Sequence, residues 1–133
     1  LIEKGWAAHM HEAFSKYLGE RCPAYVPKFK QSPYEAIALM KKAGGVAVLA
    51  HPALTNKDEL IPSLVEAGLG GIEVYYPNSS DAVIGYYRGI AQKHRLVMTG
   101  GSDAHGKNRY HTYVGKTRIP YEWVECLKER AMC

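Results

Sequence analysis

The sequence is poor in the features that would make it a disulfide scaffold, a membrane protein or a nucleic-acid binder. Among its 133 residues there are three cysteines, Cys22, Cys126 and Cys133. The number is odd and no two stand as C-x-x-C, which argues against a disulfide framework and against a cysteine-based zinc site. A reducing, cytoplasmic setting is the simplest expectation. No apolar run approaches the roughly 18 residues that a membrane span needs. The opening Leu1-Ile2-Glu3-Lys4 is not followed by the apolar stretch of a signal peptide. A first residue other than Met is expected of a cleaved or truncated product. There is no internal repeat and no low-complexity segment. Charge of either sign is modest: the formal net charge is +4 and charged residues make up 23% of the chain. No dense basic stripe marks a nucleic-acid surface.

What remains is an ordinary globular composition, 47% hydrophobic, in a length that suits one domain, residues 1–133. Along it, helical and strand-like stretches alternate. Residues 12–18 read as a short helix. Pro23 and Pro27 make 21–27 a loop. Ser32, Pro33 and Glu35 form an N-terminal helix signature. Apolar residues Ile37, Leu39, Met40 and Ala43 follow at helical spacing, and Gly44-Gly45 ends the helix. The run Val46-Ala47-Val48-Leu49-Ala50 is continuously apolar, as expected of a strand buried on both faces in a parallel sheet. The pattern repeats as a helix over 60–67, a strand over 71–75, a helix over 80–93 and a strand over 96–100. A last strand is predicted over 113–118, and Pro120 opens a final helix through 130. Alternation with short connections implies parallel strands and an α/β fold.

In such folds chemistry sits on the loops at the C-terminal ends of the strands. Directly after two apolar runs stand His51-Pro52 and Gly101-Ser102-Asp103-Ala104-His105-Gly106. In extended backbone, Asp103 and His105 point to the same side and could grip one ion or two neighbouring ions. A mixed His/Asp set suits zinc, manganese or iron better than calcium. Glu73, a charge inside an apolar strand, must be paired or face the site, where it would support a ligand. Lys107 and Arg109 are candidates for binding a substrate phosphate. His9-x-His11 also looks like a metal pair. If its segment is helical, however, the two rings point to nearly opposite sides.

The segments Ala43-Gly44-Gly45-Val46-Ala47-Val48-Leu49-Ala50-His51-Pro52, Gly71-Ile72-Glu73-Val74-Tyr75-Tyr76-Pro77 and Gly100-Gly101-Ser102-Asp103-Ala104-His105-Gly106 resemble, in order, the C-terminal motifs of the polymerase-and-histidinol-phosphatase (PHP) family of metal-dependent phosphoesterases. The resemblance covers nearly the whole chain. It implies the C-terminal part of a distorted (β/α)7 barrel, with two or three divalent metal ions (manganese, iron or zinc) that hydrolyse phosphate esters. His51 matches the histidine of the Ala-His-Pro motif, and Asp103 and His105 match the last Asp-x-His ligand pair. Glu73 does not match a ligand, because the family's metal-binding glutamate lies in upstream motifs absent from this chain. Implied substrates are phosphate mono- or diesters, among them nucleotides and oligonucleotide ends, with activity expected once the N-terminal half complements this one. The alternative is a non-catalytic fragment that serves as a metal-binding module or self-associates through an open sheet edge.

Overall fold

The computed structural model describes residues 1–106 and 114–132. The chain divides into two compact units, Leu1–Gln31 and Ser32–Cys133.

In the first unit, helix α1 (Met10–Ala13) runs directly into a π-helical turn over Phe14–Leu18. It begins two residues before the predicted start because His9 caps it. The His9 Nδ1 accepts the Glu12 N–H at 3.2 Å, and the Glu12 carboxylate reaches back to the Ala8 N–H at 2.7 Å. This is a variant of the reciprocal capping arrangement, with an imidazole in the usual place of a hydroxyl. The Gly19 N–H closes the π turn onto the Phe14 carbonyl at 2.7 Å. The segment after it is irregular, as its prolines require.

The second unit opens with α2 (Pro33–Lys42). The capping box is complete: Ser32 Oγ accepts the Glu35 N–H, and the Glu35 carboxylate accepts the Ser32 N–H at 2.8 Å. Next come β1 (Val48–Leu49), α3 (Pro52–Thr55), a 3-10 turn (Asp58–Leu60) and α4 (Ile61–Ala67). Gly68, at φ 108°, ends α4 in the left-handed region that glycine adopts freely. Then follow β2 (Gly71–Tyr75), α5 (Asp81–His94), β3 (Val97–Gly100) and α6 (Glu122–Ala131). The strands form a parallel sheet in the order β1-β2-β3.

Three expectations are corrected. The strand over 46–50 pairs over Val48–Leu49 alone, and both residues are half-buried. Even the central strand is not buried on both faces. Ile72 and Val74 have no exposed surface, while Glu73 and Tyr75, on the alternate positions, are half-buried. The described part of the strand predicted over 113–118 is a turn with Gly115 at φ 79°, a conformation that ends pairing.

The core gathers Ile37, Ile61, Leu64, Leu69, Ile72, Val74, Tyr87 and Leu96 with the small Ala47 and Ala91. Two polar ties anchor helices to it. The Arg130 guanidinium donates to the carbonyls of Gly70 and Arg95 at 2.9 and 2.8 Å, fastening α6 to the entry points of β2 and β3. The Tyr87 hydroxyl donates to both carboxylate oxygens of Asp58 at 3.0 and 3.2 Å. Burial, and then the Asp58 carboxylate, push the Tyr87 phenol well above its ordinary value, so it stays a donor.

Replacing Ile72 by alanine is expected to lower stability by about 2–5 kcal/mol, a fully buried truncation. Ser32→Ala should cost about 1 kcal/mol, the value of a cap. Urea unfolding followed by circular dichroism measures both. The reverse ranking would contradict the core described here.

Candidate metal centre

Parallel pairing fixes where the candidate ligands lie. Val48 and Leu49 stand opposite Gly71 and Ile72, and Ile72 and Glu73 stand opposite Met98 and Thr99. All three strands therefore end at one edge of the sheet. His51 follows β1 there, Glu73 and Tyr75 lie at the end of β2, and the segment 101–106 follows β3. The β2–β3 register slips at this edge, with Glu73 opposite Thr99 but Tyr75 opposite Gly100. Such bulges re-aim side chains and are common beside active sites. The slip brings the Tyr75 carbonyl onto the Gly101 N–H at 2.8 Å. It also presses that carbonyl against Gly100 so closely that a Cβ there would overlap it.

His51 is the N-cap residue of α3, at φ 31° and ψ 61°. This left-handed backbone is unfavourable for any residue with a Cβ, and the following Pro52 restricts it further. Two bonds hold its backbone: the His51 N–H donates to the Glu73 Oε2 at 2.8 Å, and the His51 carbonyl accepts the Leu54 N–H at 3.0 Å. The ring of His51 is half-buried, and its Nδ1 is shielded from solvent with no hydrogen-bond partner among the described residues. An imidazole nitrogen orphaned in this way is a lone pair or a proton in want of a partner.

Asp103 and His105 are brought together, but not by extended backbone as predicted. Asp103 is itself left-handed, at φ 46°. The His105 Nδ1 lies 2.6 Å from the Asp103 carbonyl oxygen and 3.8 Å from its Oδ1. A carbonyl only accepts, so Nδ1 carries the proton and Nε2 keeps its lone pair. This is the arrangement by which metal-ligating histidines are oriented, the second ring nitrogen being tied to a carbonyl or carboxylate. Both side chains are about half exposed.

The residues present fit part of a metal site. Two histidines and a carboxylate suit zinc, manganese or iron, and each histidine has a nitrogen to offer. Among the described residues, however, no three His, Cys, Asp or Glu side chains converge on one point. Lys107 and Arg109 lie outside the described residues. The His9-x-His11 pair serves otherwise, since the His9 Nδ1 is spent on capping α1. What the sequence did not reveal is the partner of Glu73, the backbone N–H of His51 at the start of α3. The proline after His51 was the one local sign that this backbone is constrained.

No family model matches the chain. Curated relatives do. It is 44% identical over 86 residues to the phosphoribosyl 1,2-cyclic phosphate 1,2-diphosphodiesterase of Eggerthella lenta, a match covering 65% of this chain and 32% of that protein. It is 33% identical over 122 residues to the 3',5'-nucleoside bisphosphate phosphatase of Chromobacterium violaceum, covering 88% of this chain and 43% of the relative. The chain thus spans less than half the length of these relatives. Among solved structures, a Bifidobacterium adolescentis protein assigned as a metal-dependent phosphoesterase superposes with a TM-score of 0.72 at 30% identity. That match takes in 98% of this chain and 47% of the neighbour.

Two substitutions test the geometry of this edge. His51→Gly should be more stable than His51→Ala by about 1–2 kcal/mol, because glycine meets no Cβ penalty in the left-handed region. Equal stabilities would contradict the backbone described. Gly100→Ala should destabilise, its Cβ meeting the Tyr75 carbonyl, while Gly101→Ala, with nothing nearer than the Glu73 Oε1 at 3.9 Å, should be close to neutral. Thermal unfolding of the pair measures the contrast.

Proposed function

We propose that this chain, which is related to metal-dependent phosphoesterases of the PHP type, is the C-terminal part of a distorted (β/α)7 barrel that hydrolyses phosphate esters with divalent metal. His51, Asp103 and His105 supply part of the ligand set, and the remaining ligands come from the portion of the relatives that this chain does not span. The observation that carries the reading is the His105 ring. Its Nδ1–H is committed to the Asp103 carbonyl at 2.6 Å, which leaves Nε2 as a ligand.

Manganese, iron or zinc at this edge would lower the pKa of a bound water and offset the charge that builds on the phosphoryl oxygens. The chain's own residues do the rest. His51 and His105 offer ring nitrogens, Asp103 offers a carboxylate, and Lys107 and Arg109 orient the substrate phosphate. The relatives named above act on a cyclic phosphate diester and a nucleoside bisphosphate, so phosphate mono- and diesters of nucleotides, including oligonucleotide ends, are the substrate class proposed. No helix among the described residues is long and apolar enough to cross a membrane. A cytoplasmic setting is proposed with the rest.

A second reading has its own observation. Among the described residues β1 and β3 each pair on one side only. Two copies joined at such edges would make this a self-associating, metal-binding module that is not itself catalytic.

The chain, loaded with manganese or zinc and then desalted, is expected to retain metal by elemental mass spectrometry, and Asp103→Ala to lose it. Undiminished retention in Asp103→Ala would overturn the ligand assignment. In the complete protein, the same substitution should abolish metal-dependent phosphate release from nucleoside bisphosphates.

A further inference from the structure

We infer that Glu73 is a positioning residue: through the His51 N–H it locks the strained backbone that aims the His51 imidazole, and it thereby sets metal affinity without ligating the ion. The inference rests on the reading of His51 as a ligand. It starts from a half-buried carboxylate in the central strand. Among the described residues no Lys or Arg forms an ion pair with it. A charge so placed is costly unless something uses it.

Its Oε2 accepts the His51 N–H at 2.8 Å, across 22 residues of sequence, from the segment that follows the neighbouring strand. A hydrogen bond to an ionised acceptor is roughly twice as strong as a neutral one. The donor is the residue with the least reason to hold its conformation. His51 is left-handed, is not glycine and precedes a proline. Backbone strain of this kind costs on the order of 1–3 kcal/mol and persists where surrounding structure over-determines it. Two bonds over-determine it here: the Leu54 N–H on its carbonyl at 3.0 Å, within α3, and the Glu73 carboxylate on its N–H, which alone comes from another part of the sheet.

Glu73 Oε1 faces Gly101, where even a Cβ would only reach contact distance, 3.9 Å. The bulge after Glu73 shifts the β3 side of this edge by one residue relative to β2. Glu73 therefore stands between the segment after β1, where His51 caps α3, and the start of the loop that carries Asp103 and His105. A change at Glu73 reaches the metal through the direction of the His51 ring.

Three variants in otherwise intact protein test this: Glu73→Ala, Glu73→Gln, and Leu64→Ala as a core-destabilised control away from the edge. Two readouts are taken. Amide hydrogen exchange of His51 in metal-free protein reads the bond itself, independently of any metal. Zinc or manganese affinity of the folded variants reads its consequence. Glu73→Ala should speed His51 exchange by about tenfold, the loss of one hydrogen bond, and weaken metal binding by about 10–100-fold. Glu73→Gln, which keeps an acceptor oxygen, should restore most of both. Leu64→Ala should lose stability and keep its affinity.

Unchanged His51 exchange in Glu73→Ala overturns the inference. So does faster exchange with unaltered metal affinity, which would make the bond purely structural. A Glu73→Gln variant as impaired as Glu73→Ala would also overturn it, by showing that charge and not the bond matters. The metal assignment itself fails separately, through Asp103→Ala.

Discussion

Everything at the candidate site hangs on the pairing of β2 with a strand on either side. Parallel strands share a direction, so their C-terminal ends fall at one edge whatever the length of chain between them. That alone carries His51, from before α3, to the same border as Asp103 and His105, from beyond α5. The pairing is secured by the full burial of Ile72 and Val74 on one face of β2. It is fastened from outside by Arg130, which bonds the carbonyls at the entries of β2 and β3. Hydrophobic burial on one face and backbone hydrogen bonding along the edges thus place groups that none of these forces acts on directly.

The edge holds features that a fold built for stability alone would avoid. Two of its residues with a Cβ, His51 and Asp103, are left-handed. A carboxylate stands half-buried in the central strand, an imidazole nitrogen lacks a partner among the described residues, and a bulge interrupts the register. Each costs free energy, and together they cluster where three strands end. Strain and unsatisfied polarity concentrated in one place, on a scaffold otherwise regular, are what a site for a charged ligand requires. The likeness to phosphoesterases is consistent with that distribution, because an ion cluster and a phosphate both need fixed donors and acceptors rather than a closed apolar core.

The elements read correctly from the sequence were those whose determinants are local. Ser32, Pro33 and Glu35 predicted the start of α2 because a capping box is closed within four consecutive residues. Gly68 marked the end of α4 because only its own φ was at stake. Ile72 and Val74 announced a strand through their neighbours. Misread were the extent of a strand and the backbone of a loop. The run over 46–50 was taken as a strand buried on both faces. Apolar composition does not tell how much of a run finds a partner, and only Val48–Leu49 pair. The closeness of Asp103 and His105 was expected from extended backbone, yet Asp103 reaches it at a positive φ.

By itself the sequence determined the order and kind of most elements, the parallel α/β class, and the chemical types, histidine and aspartate, that follow two of the strands. These depend on periodicity, caps and breakers, which act over a few residues. Only the tertiary structure decided that Glu73 belongs to His51 and that Gly100 must be glycine because of the Tyr75 carbonyl. Each is a contact made by a backbone atom, and a backbone N–H or C=O is the same in every residue. It leaves no mark in the sequence until the strands are laid side by side.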